Sequence, residues 1–174
     1  MFQRVRLEDP RVDTNPADLA RNITYNTANV TLYNNILSDD TSSAKALLIT
    51  WDANNPHKVT AGQMVAGDDA NAFARTSTQV ANTAMWATMT GPGYASNLST
   101  LAALRTATGR EANGWEAVGY GTNPLFTNPL GFDYRLVAGA PVKANGTPLP
   151  SAVAAAIGVP AGVAVDRGAL VQPG

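Results

Sequence analysis

From Asn22 to Asp40 the chain reads NITYNTANVTLYNNILSDD, and this stretch constrains the fold more than any other. Its β-forming residues, Ile23, Tyr25, Val30, Leu32, Tyr33 and Ile36, come in runs too short for a helix, and asparagines rather than long loops separate them. The pattern predicts short strands joined by tight turns. Asn34 and Asn35 are the informative pair. Asparagine enters the left-handed backbone region more readily than other non-glycine residues, and its amide can stack on an equivalent amide in a neighbouring layer. A β-solenoid turns its corners in this way.

The same style continues. AKALLITW (Ala44 to Trp51) and HKVTAGQMVAG (His57 to Gly67) are further strand candidates with DANNP as the turn between them, and the spacing of the apolar runs suits about two or three solenoid layers. Residues 70 to 90 fit helix or strand equally. Before this region, residues 1–22 are polar and broken by Asp9-Pro10 and Asn15-Pro16, which predicts an irregular N-terminal arm with at most one strand at Phe2 to Leu7. The expected organisation is therefore an arm (1–22), β-solenoid-like layers (23–96), and a short helix with a C-terminal capping segment (97–174).

In that last part Leu98, Leu101 and Leu104 recur at three-residue spacing, with Asn97 or Ser99 as N-cap and Gly109 as the stop, so one short amphipathic helix is predicted. Asn-Pro-Leu then occurs twice, at Asn123 and Asn128. Each proline forces a turn or an extended segment. FDYRLVAG follows with period-two alternation, placing Phe132, Tyr134 and Leu136 on one side of a short strand that Gly139 and Pro141 end.

Composition excludes several functions. Net charge is −1, only 14% of residues are charged, and the twelve basic residues are scattered, so no stripe exists to neutralise phosphates and nucleic acid is not an expected partner. Cysteine is absent and His57 is the one histidine, which leaves no thiol nucleophile and no ordinary zinc site. GPGYASN at Gly91 lacks the lysine of a phosphate loop, and no cofactor is expected. The longest apolar window, SAVAAAIGVPAGVAV, is interrupted by Gly158, Pro160 and Gly162, and the N-terminus carries no apolar run of signal-peptide length. Neither membrane insertion nor a signal peptide of the usual form is expected.

Taken in order, the Asn-cornered strands, the leucine helix ending at Thr108-Gly109, Asn123-Pro124-Leu125-Phe126, Asp133-Tyr134-Arg135-Leu136, and Gly139 with Pro141 resemble the C-terminal end of right-handed parallel β-helix proteins, the pectate-lyase-like superfamily. Asp166 and Gly168 fall on that family's closing loop. Ala140 and Ala144 depart from it, standing where Ser and Asp are usual, and most of the preceding layers of a long solenoid are missing. The fold this implies is mainly β: short right-handed parallel β-helix layers, one short helix and an irregular C-terminal cap. The resemblance says little about chemistry, because the same ending serves lyases, hydrolases, epimerases, adhesins and phage proteins.

Two carboxylate pairs are candidates for acid–base or calcium chemistry, Asp39-Asp40 and Asp68-Asp69, since stacked layers about 4.8 Å apart could bring them together. The simpler reading is that both pairs are exposed turn caps. The companions that β-helix lyases and glycosidases need, a Gly-His-Gly step or an Arg-x-Lys pair, do not occur. His57 lies in loop chemistry without an orienting partner. Trp51 with Asp52, Asn54 and Asn55 is the candidate glycan-binding group; the other large aromatics fit core packing.

These residues predict a non-catalytic structural or adhesive protein of an extracellular surface assembly or phage virion, a spike or head decoration, with glycan contact left open. A polysaccharide lyase or hydrolase fragment using the paired Asp residues, and a carbohydrate-binding module, are the alternatives. A homo-oligomer or a larger scaffold partner is expected. An uncovered first solenoid layer templates pairing with other chains, so residues 1–40, with Phe2, Val5 and Leu7 as apolar contacts, should form that interface.

Overall fold

The computed structural model describes residues 2–4, 28–39, 46–52, 60–75, 82–87, 95–119 and 125–168. Within them the chain is mainly β, with three helices and several small sheets, none closed. The strands are β1 (Phe2–Arg4), β2 (Val30–Tyr33), β3 (Ile36–Asp39), β4 (Leu48–Asp52), β5 (Val65–Asp69), β6 (Ala72–Arg75), β7 (Ala84–Ala87), β8 (Ala95–Leu98), β9 (Trp115–Val118), β10 (Phe126–Asn128) and β11 (Asp133–Leu136). The helices are α1 (Ala61–Met64), α2 (Leu101–Thr108) and α3 (Ser151–Ile157), with a 3-10 turn at Pro129–Gly131.

Pairing is dominated by parallel neighbours. β4 lies between β1 and β7, β2 lies beside β5, and β6 lies between β3 and β9, all parallel. Val30 pairs with Val65, Ile36 with Ala72 and Leu48 with Ala84, steps of 35, 36 and 36 residues, so the chain returns beside itself at an almost constant interval. The step from β6 to β9 is longer, Ala72 to Trp115 or 43 residues, and α2 occupies the added length. β8 runs antiparallel to β7, and β10 with β11 forms a separate hairpin.

Two buried clusters hold these strands. The first contains Leu48, Met64, Val65, Phe73, Trp86, Leu98, Leu101 and Leu104. The second contains Ala72, Ala74, Leu125, Leu136, Ala140 and Val142. β6 separates them: its side chains alternate, Phe73 entering the first cluster and Ala72 and Ala74 the second, so all four of its residues are buried. At about 1.5–3 kcal/mol for each large side chain removed from water, the first cluster dominates stability.

α2 forms where its leucines predict, with Leu101 and Leu104 buried and Gly109 closing it at φ 70°. Its N-cap is Thr100, whose hydroxyl accepts from Ala103 N at 3.0 Å, because Asn97 and Leu98 are committed to β8. Of the strand expected across 57–67, the described part 60–64 is not extended, and 57–59 lie outside the described residues. Thr60 N donates to the Gln63 side chain at 2.8 Å, which starts the single turn of α1, and β5 begins only at Val65. The apolar window after Pro150 is the short helix α3, ended by Gly158 at φ 73°. No described helix is long and apolar enough to cross a membrane.

Residues 125–168 fold back over the outer face of β3, β6 and β9. Gly168 N donates to Asn34 O at 2.6 Å, and the Asn34 carboxamide exchanges bonds with the Thr147 backbone at 2.9 and 2.8 Å, across 113 residues of chain.

Candidate functional site

Among the described residues the densest group of polar side chains gathers at the corner between β5 and β6. Ala70 takes φ 55° there, as Asn34 takes φ 59° between β2 and β3, so each corner turns through one left-handed residue. The residues after these turns, Asn35 and Asn71, stack. Asn71 Oδ1 accepts from both Asn35 N and Asn35 Nδ2, while Asn71 Nδ2 donates to Leu32 O at 2.8 Å and to Glu111 Oε1 at 2.5 Å. Glu111 Oε2 takes Asn71 N at 3.1 Å, completing a ladder of asparagine, asparagine and glutamate.

Asp68 and Asp69 flank this corner on β5, and the strand sends them to opposite faces. The Asp68 side chain is sealed from solvent, ion-paired with Arg110, whose guanidinium also lies 5.2 Å from the Trp86 ring centre. Burial pushes the Asp68 carboxyl above its ordinary pKa, and the Arg110 bond and charge offset only part of that. Its Oδ2 is buried without a hydrogen bond. Asp69 is also partly desolvated, but Asn113 N and Nδ2, each at 2.8 Å, and Ala70 N hold it ionised and lower its pKa. Glu111 is raised, by burial first, against the two Asn71 bonds.

Two further arginines tie this group to the rest of the chain. Arg105 donates to the carbonyls of Glu111 and Gly114, both at 2.6 Å, and Arg167 to those of Asn113 at 2.6 Å and Asn145 at 2.8 Å. Gly114 has no room for a side chain, since a Cβ would stand 2.7 Å from Glu111 Oε2. A second structural carboxylate, Glu116, accepts from Thr83 Oγ1 at 2.5 Å and from Leu101 N at 2.9 Å, anchoring the start of α2.

A pair of adjacent carboxyls with oppositely shifted pKa values is the usual signature of acid–base chemistry. Here the raised member has no exposure and the lowered one has its oxygens engaged, so the arrangement orders backbone rather than offering groups to a substrate. Asp68 is thus not an exposed turn cap but a sealed residue of β5, whereas Asp69, the last residue of that strand, does accept from Ala70 N at the turn. Asp39 ends β3 opposite Arg75, whereas Asp69 pairs with Tyr33 across the corner, so Asp39 is not brought beside Asp68 or Asp69. Trp51 and Asp52 close β4 and Phe2 opens β1. Asp40, Asn54, Asn55, His57, Val5 and Leu7 lie outside the described residues.

Among the described residues no three of His, Cys, Asp and Glu come together as a metal site. Glu111, Arg110, Arg105 and Arg167 were not singled out from the sequence, and their partners lie too far along the chain for spacing to show. No protein-family signature matches this chain, no curated protein matches it in sequence, and no solved structure matches its fold.

Proposed function

We propose that this chain is a structural module, a short right-handed parallel β-helix of the pectate-lyase-like kind, serving by shape in an extracellular surface assembly or virion rather than by catalysis. The nearly constant 36-residue return of the parallel strands and the stacked corner amides of Asn35 and Asn71 support the solenoid reading. The observation that carries the functional reading is the use of the acidic groups: Asp68, Asp69, Glu111 and Glu116 all bind the protein's own arginines, amides and backbone. A retaining or inverting glycosidase needs two carboxyls facing one substrate.

Incubation of the pure chain with a polysaccharide panel tests this: no new reducing ends and no unsaturated products are expected, and release of either, abolished by alanine at Asp39, Asp40, Asp68 and Asp69, overturns it. Assembly through the first layer is part of the same reading. Among the described residues β2 pairs with β5 and β3 with β6, and a first solenoid layer templates pairing with another chain wherever its own chain does not cover it. Sedimentation equilibrium at micromolar concentration is expected to show a species larger than the 18.1 kDa monomer. A monomer whose stability is unchanged by deleting residues 1–20 rules the interface out.

A further inference from the structure

A groove of about 420 Å³ opens between the first corner and the β10–β11 hairpin. Ile36, Phe126 and Leu136 make its walls apolar, and Tyr134, 46% exposed, stands edge-on to Phe126 at 5.5 Å between ring centres. Arg167 also lines it. This residue is only 4% exposed, yet among the described residues no carboxylate lies within ion-pair distance of it. Its Nη2 serves two carbonyls, Nη1 bonds none of the described groups, and Nε is buried with no partner. A guanidinium this dry, with N–H groups unspent, is costly unless an acceptor completes it. Burial accordingly pulls its pKa down, against the distant charges of Glu111 and Asp69.

We propose that this groove binds a small carboxylate with an apolar body, an aryl- or alkyl-carboxylic acid, its carboxylate on Arg167 and its body between Ile36, Phe126, Leu136 and Tyr134. Volume and wall chemistry suit a ligand of that size. A single planar cation matches one carboxylate. A phosphate dianion would want a second basic group or a nest of backbone N–H groups, and none of the described lining residues supplies one. The neighbouring groove, which shares Asn35 and Gly168 and is walled by Val153, Ile157 and Val163, would take the tail of a longer alkyl chain.

The test is an NMR titration of the full chain with 3-phenylpropanoate and, separately, its neutral amide. The acid is expected to shift the Arg167 Nε–H signal and the Tyr134 ring signals at millimolar concentration, and the amide to bind at least about tenfold more weakly, as loss of one charge-assisted hydrogen bond implies. Because Arg167 also ties two loops, the informative variant is Tyr134→Ala, whose side chain is half exposed; it should weaken the acid about fivefold, the loss expected for one aromatic wall. Equal binding of acid and amide, no shift at Arg167, or no effect of Tyr134→Ala overturns the proposal.

Discussion

The carboxamide oxygen of Asn71 accepts the main-chain N–H and the side-chain N–H of Asn35, both at 2.9 Å. With its own amide on Leu32 and Glu111, one side chain joins segments 36, 39 and 40 residues away. Asn71→Ala leaves several of these groups buried and unpaired, each costing about 1–3 kcal/mol, so a loss of about 3–5 kcal/mol is expected in urea unfolding. A change under about 1 kcal/mol would show the ladder to be decorative.

Asp68 gives a pH dependence of unusual sign. Its folded pKa lies above its ordinary 3.8, so the folded chain holds that proton more tightly than the unfolded one. The contribution to stability is complete below 3.8 and is lost as pH rises through the raised value. The stability of the wild type minus that of Asp68→Asn should therefore fall between acid and neutral pH in denaturant titrations. A difference that grows with pH contradicts the burial argument. Asp133 behaves oppositely: Arg135 holds its carboxyl down at about 2, so its contribution is present above the ordinary carboxylate range and disappears only as pH falls through about 2.

Glu116→Ala strips the first turn of α2 of its acceptor and leaves the buried Thr83 hydroxyl with the Ser99 carbonyl alone. About 1–3 kcal/mol is expected to be lost. Glu116→Gln, which keeps one acceptor oxygen, should recover part of it, as measured by thermal circular dichroism.

Phe132 sits at φ 61° with 83% of its surface exposed, a conformation its side chain neither needs nor repays with contacts. The neighbouring 3-10 turn fixes it: Phe132 N bonds Pro129 O, and Gly131 N bonds the Asn128 side chain. Phe132→Asn should raise stability by about 0.5–1 kcal/mol, since asparagine tolerates that region. A lower melting temperature would mean that the ring has a structural contact after all.

What could be foreseen from the residues was local. Asn34 turns its corner left-handed because asparagine can do so anywhere, and α2 follows from leucines that need no distant partner to declare their face. The helix cap moved to Thr100 because pairing with β7 claimed Asn97 first, a decision made by a strand that begins at Ala84. α1 was hidden inside an apolar run although Thr60 and Gln63 marked its start, and α3 was visible only in Pro150 before it and Gly158 after it. The polar corner could not be foreseen at all. Asp68 meets Arg110 across 42 residues and Arg167 meets Asn113 across 54, and no periodicity records such meetings.

The bond from Asn34 to Thr147 also orders events in time. During synthesis at about 5–20 residues per second, the first corner waits roughly 6–23 s for its partner, 113 residues on. Closing so long a loop is also entropically slow in a chain released from denaturant. The early strands must therefore stand for that interval with an unfinished flank, and the cell has a window in which a chaperone or another copy of the chain can reach it before its own C-terminal segment does.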